Sequence, residues 1–291
     1  MSAAGAVEGR VVSRRSARPS TFAIYAWELR KLRVQKRTYL GLILGALMPL
    51  IFVVSQNVRS HHGGGGQGSL FESQITQSGL ATPVLMLLWM SLFLLPLIAT
   101  LVAGDIVANE DGNGTLKTIL TRSVDRGQVF AAKALAAATY AVIAVYLTAT
   151  VAVLAGVASW GFKSITSFSG TVVSAPKALL LVYVANTVYL IPLLAVVAIG
   201  LLLSTISRNS AGAVVGTIGI TLVLAIVGSI PGLEGLGPYL LVKQYEAWQG
   251  LLRTPTDWAP ILHSLWVCAL YAVPCYVAGY LVFLRRDVAG G

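Results

Sequence analysis

Six stretches of the chain contain no Asp, Glu, Lys or Arg: 39–58, 73–104, 134–162, 178–207, 209–233 and 258–284. Each holds the roughly 20 residues that a helix needs to cross a ~30 Å hydrocarbon core. Strands of a membrane barrel would be about 10 residues long and would alternate in polarity, which these runs do not. The pattern predicts an all-α polytopic membrane protein. Its six transmembrane helices fall at about 39–58, 81–107, 129–158, 178–206, 211–230 and 259–284. The first run follows a long basic arm and has no small-x-small cleavage pattern close behind it, so it reads as a retained span.

The polar segments between the runs differ in character. Residues 1–19 are rich in Ser, Ala, Gly and Arg, the composition of a disordered cytoplasmic arm. From 20 to 38 the texture becomes helical. Phe22, Tyr25, Leu29 and Leu32 recur at spacings of three and four, and Arg30, Lys31, Arg33, Lys36 and Arg37 crowd the end. With Trp27, this predicts an amphipathic helix lying at the inner membrane surface. The loop 59–80 carries His61-His62 followed by the run Gly63-Gly64-Gly65-Gly66, a flexible segment without a third metal ligand nearby. Spans four and five are separated only by Ser207-Arg208-Asn209-Ser210 and predict a tight helical hairpin. Before the last span, residues 239–252 interleave apolar and aromatic residues with Lys243 and Glu246. They predict a helix at the outer interface or a re-entrant element buried by protein.

Charge then orients the chain. Charged residues make up only 11% of it, yet the formal net charge is +10. With the N-terminus inside, sixteen Lys and Arg fall on the inner side and five on the outer. That asymmetry predicts both termini in the cytoplasm and an inner or plasma membrane location. It accounts for the net charge without nucleic acid as a partner. Cys268 and Cys275 lie seven residues apart on one span, about 10 Å along its axis, too far for a mutual disulfide.

Small residues at four-residue spacing occur at Gly41 and Gly45 and again at Gly212 and Gly216. Such faces let helices approach closely, within one subunit or across a homodimer seam.

Catalytic signatures are missing. No Gly-Lys dipeptide occurs, so there is no phosphate-binding P-loop, and no G-x-S-x-G or H-E-x-x-H motif is present. The chain is expected to be non-catalytic and to bind no cofactor or metal. No carboxylate lies in the middle of a span, which disfavours a proton- or sodium-coupled relay. One polar cluster stands out: Asp105, Glu110, Asp111, Lys117, Arg122, Asp125 and Arg126. It has charges of both signs, helical texture and no His or Cys, as a docking surface should. The alternatives to a docking permease are an ATP-independent secondary transporter or channel, and a membrane-embedded transferase.

The segment Glu110-x-x-x-Gly114-Thr115-Leu116-Lys117-x-x-Leu120-x-Arg122-x-x-x-Arg126, followed by Lys133 at the head of span three, resembles the membrane subunit of a type-two ABC transporter. Members of that family read E-x-G-T-L-x-x-L-L-x-x-P-x-x-R in this region. The six-span layout, the N-terminal helix and the outer segment match as well, so the resemblance covers residues 20–286. Ser123 stands where the family has Pro, and Gly112 and Asn113 lengthen the gap after Glu110. The resemblance implies a homodimer or heterodimer of permeases docked on two cytoplasmic ABC ATPase subunits, which carry the ATP and Mg. It implies export of a drug, peptide antibiotic or lipid by alternating access. It also implies a coupling helix at about 113–122. Glu110, Asp111, Gly114, Thr115, Leu116, Lys117, Ile119, Leu120, Arg122 and Arg126 are then the residues expected at the ATPase.

Overall fold

The computed structural model describes residues 20–61, 77–115, 125–167, 169–207 and 209–285. The N-terminal arm, most of the Gly-rich loop, and Leu116, Lys117, Ile119, Leu120 and Arg122 of the expected coupling helix lie outside the described residues.

Helix α1, Thr21–Val34, opens on Ser20, whose hydroxyl accepts from the Ala23 amide at 3.2 Å. Gln35 is extended and ends it, and α2 starts at once and runs Lys36–His61. The face that α1 buries is Ile24, Glu28 and Leu32, with Tyr25 and Leu29 packed beside them. Phe22, expected on that face, is 75% exposed. The helix packs against the third apolar run, so its inner stripe is a protein contact with a carboxylate in it.

The second apolar run is not one continuous helix. It forms α3, Ala81–Met90, and α4, Leu94–Ala103, bent by 62° at residues 91–93. Within the expected span 81–107 the chain is thus broken into two short helices. Pro96 explains the position of the break: its ring clashes with the carbonyl four residues back and it has no amide hydrogen to donate. The backbone groups this frees are taken up locally. The Ser91 hydroxyl donates to the Leu88 carbonyl at 3.1 Å, and Tyr189 reaches the Ser91 carbonyl.

A short α5, Ala108–Gly112, follows. Then come α6, Arg126–Trp160, and α7, Ala175–Ile206, joined through a two-stranded antiparallel hairpin, β1 Ile165–Thr166 and β2 Val172–Val173. Helix α8, Ser210–Val227, is capped by Asn209, whose carboxamide oxygen accepts from the Ala211 amide at 2.9 Å. Helix α9 is Ala259–Arg285. Helices α2, α6, α7, α8 and α9 are each long and apolar enough to cross a membrane; counting the bent α3–α4 pair as one span makes six. The chain is thus an all-helical membrane protein. Helix α7 is the central one, and α8 and α9 turn most of their surface outward. Exposed Leu40, Ile43, Val54, Val215, Leu262 and Leu270 suit a lipid environment.

The segment before α9 differs from a surface helix. Residues Leu241–Leu252 form successive 3-10 turns, and Leu241, Tyr245, Trp248 and Leu251 are buried against α7 and α9. Its aromatic side chains fill the interior of the bundle. A Cβ on Gly250 would stand 2.4 Å from the Asp257 carbonyl oxygen, so the returning chain can come this close only because residue 250 has no side chain.

Candidate functional site: a clamped segment at one end of the bundle

The residues Asp105 to Gly114 follow α4 and are gripped by five helices. From α6, Lys133 is fully buried and meets three oxygens. Its Nζ lies 3.2 Å from Glu28 Oε1 and 2.6 Å from Glu110 Oε2, and it donates to the Ile106 carbonyl at 3.1 Å. From α1, Lys31 pairs with Glu28 at 2.8 Å and with Glu110, and stands 4.0 Å over the Trp27 ring. Two cations and two carboxylates therefore balance in a site where Glu28 is 2% exposed. Burial alone would raise the Glu110 carboxyl, but the Lys133 and Lys31 charges outweigh it and hold the group below its ordinary range.

From α2, Arg37 pairs with Asp105 and donates to Ser210 Oγ at 3.2 Å; Ser210, at the start of α8, donates to Asp105 in turn. From α7, Ser204 Oγ accepts from the Val107 and Ala108 amides at 3.1 and 3.0 Å. These amides begin α5 and have no intrahelical partner, so a buried hydroxyl supplied by another helix satisfies them.

Past α5 the chain turns outward. Gly114 has φ +68°, a conformation that side chains disfavour, and nothing lies within 4 Å of where its Cβ would be. Gly112 is the last residue of α5. Thr115 donates to the Glu110 carbonyl at 3.1 Å. Asp111 is partly exposed at this edge. Chain re-enters the described structure at Asp125, whose carboxylate accepts from the Gly127 amide at 3.1 Å and caps α6. Arg126 donates to the Leu284 carbonyl at 3.0 Å, tying α6 to the end of α9.

The expected site residues thus divide. Glu110 is committed to ion pairs inside the protein, and Arg126 bridges α6 and α9. Asp111, Gly114 and Thr115 form the exit of the clamp. Sequence reasoning missed Glu28, Ser204 and Ser210. Only Glu28 had a signal: it falls four residues from both Ile24 and Leu32, on the stripe that packs inward.

The glycine pairs resolve differently. A Cβ on Gly41 would stand 2.2 Å from the Tyr140 hydroxyl, and one on Gly45 2.7 Å from Thr148 Oγ1, so this face packs on α6 of the same chain. Gly212 and Gly216 meet nothing closer than 3.7 and 3.3 Å. The tightest approach, between Gly79 and Gly156, brings backbone against backbone: either Cβ would stand within 2.3 Å of the other residue's carbonyl oxygen. Gly156 continues a four-residue spacing of small residues, Ala144, Thr148 and Ala152, whereas Gly79 belongs to none.

Comparison with curated proteins returns no match. A family model described as protein of unknown function DUF2705 matches residues 42–289, which takes in everything from the second turn of α2 through α9. The chain belongs to the DUF2705 family.

Proposed function

We propose that the chain is the permease subunit of an ABC exporter. It moves an amphipathic or hydrophobic substrate outward by alternating access, driven by separate ATPase subunits that hold the ATP and Mg. Both termini and the clamp face the cytoplasm of a cell or inner membrane, and two permeases, identical or related, pair in the bilayer.

The observation that carries this role is the clamp. A segment that merely joined two spans would need few polar contacts. Here it is fixed to α1, α2, α6, α7 and α8 immediately before it leaves the bundle at Gly114. A push on residues 115–124 would therefore reach five helices through hydrogen bonds and ion pairs instead of being lost in a slack loop. The Lys and Arg excess on this side supports its cytoplasmic placement.

The test is docking. Leu116→Asp would place a carboxylate in an apolar subunit contact, where an unpaired charge costs several kcal/mol. Recovery of the ATPase with wild-type and variant permease is compared at matched membrane expression. Loss of the ATPase with the variant is expected; equal recovery and equal transport would defeat the coupling role. External cysteine labelling at residue 64 but not at 118 is expected from the orientation.

A further inference from the structure

A groove of about 540 Å³ runs along the outside of the bundle between α6, α7 and α9. Its wall on α6 is Ala131, Ala134 and Ala138, about 10 Å along the axis, and Ala198 and Ala272 continue it on α7 and α9. The small side chains create the depression; Leu135, Val273 and Val277 stand at its lips, each about half exposed. Lined almost wholly by apolar atoms, it opens on a surface where the long apolar helices meet lipid. Its volume lies within the ~300–1,000 Å³ range of ligand pockets.

The lower end of the same α6–α9 seam is basic. Arg126 lies five residues, about 7 Å, below Ala131 and is held across the seam by its bond to the Leu284 carbonyl. Arg285 is exposed at the end of α9. Tyr276 lines the groove and Tyr280 lies one turn further toward the arginines, both packed on Phe130. The seam thus offers two guanidinium groups, two phenols and an apolar trough.

We infer that this seam binds one anionic phospholipid, with an acyl chain in the alanine-walled groove and the headgroup phosphate at Arg126 and Arg285. The offset between trough and cations matches the separation of acyl chain and phosphate in a lipid. A zwitterionic lipid would fill the trough but gain less from the two cations. A helix of a second subunit is the other occupant that the trough could admit, but it would bring no anion to the basic end. The site is independent of the transport role and requires only that the protein be in a membrane.

The full chain in mild detergent is equilibrated with equal phosphatidylglycerol and phosphatidylcholine of the same acyl chains, and retained lipid is weighed by native mass spectrometry. Wild type is expected to retain the glycerol lipid roughly fivefold or more over the choline lipid, as one to two basic side chains facing an anionic headgroup would give. Ala134→Phe fills the trough and should cut retention of both lipids about tenfold. Arg126→Gln with Arg285→Gln should leave an acyl-filled site with a preference near one. Helical circular dichroism checks that each variant is folded, and the double Arg variant tests the idea even if Ala134→Phe misfolds. Equal retention of the two lipids by wild type would overturn the inference. So would a dimer that Ala134→Phe converts to monomer, which would assign the trough to a second copy.

Discussion

Gly41 sits so close beneath Tyr140 that a Cβ would stand 2.2 Å from its hydroxyl oxygen, while that hydroxyl donates to the Thr38 carbonyl at 3.1 Å. The absent side chain of one helix is therefore the space in which a side chain of another bonds the backbone one turn earlier. Gly41→Val should displace Tyr140 and break its bond, costing about 1–3 kcal/mol as overpacking does. Thermal unfolding in detergent reads this. If the variant instead kept its melting temperature and lost a dimer, the glycine face would belong to a seam between subunits.

Lys133→Met should destabilise the fold strongly, by about 3–5 kcal/mol, because it leaves two carboxylates buried with one lysine between them. Adding Glu28→Gln should restore part of the loss. A double variant no more stable than Lys133→Met alone would show that the two residues are not coupled.

Protonation of Glu110 gives a pH dependence of known sign. Its folded value lies below the ordinary value of about 4.5, so ionised Glu110 stabilises the protein at higher pH. That contribution is lost as pH falls below 4.5 through the folded value. Glu110→Gln should flatten the acid limb of stability against pH. An unchanged limb would mean that other carboxylates govern it.

Tyr189→Phe should cost about 1–3 kcal/mol, since it leaves the buried Ser91 carbonyl at the α3–α4 break without its 2.9 Å donor. Tyr183→Phe, which removes a partly buried bond to Thr150, serves as the milder comparison. Equal melting temperatures for the two variants would mean that the break is satisfied in some other way.

The spans were legible because charge is expensive in lipid, and its absence marks a helix without further information. The bend at residues 91–93 was hidden because Pro96 is tolerated in membrane helices and only tertiary contacts decide whether it kinks or breaks one. The interior of the clamp was hidden for another reason. Glu28 looks like one acid among five nearby cations, Ser204 like a small residue in an apolar run, and Ser210 like part of a turn. Their roles depend on the pairing of residues 105 apart for Glu28 and Lys133, and 97 apart for Val107 and Ser204. Periodicity carries no record of such distances. Lys133 and Glu110 could be seen in one motif, whereas their pairing with each other and with Glu28 could not.

Membrane proteins are synthesised from the N-terminus, and the order of the charges along this chain then acquires a meaning. Glu28 and Lys31 emerge together, one helical turn apart, and cancel. Glu110 comes next, and Lys133 last. At every stage of growth the growing cluster is neutral or carries one excess negative charge. The lysine destined for complete burial therefore arrives last, when both its carboxylates already exist, and is never a solitary cation waiting in the bilayer for a partner not yet made.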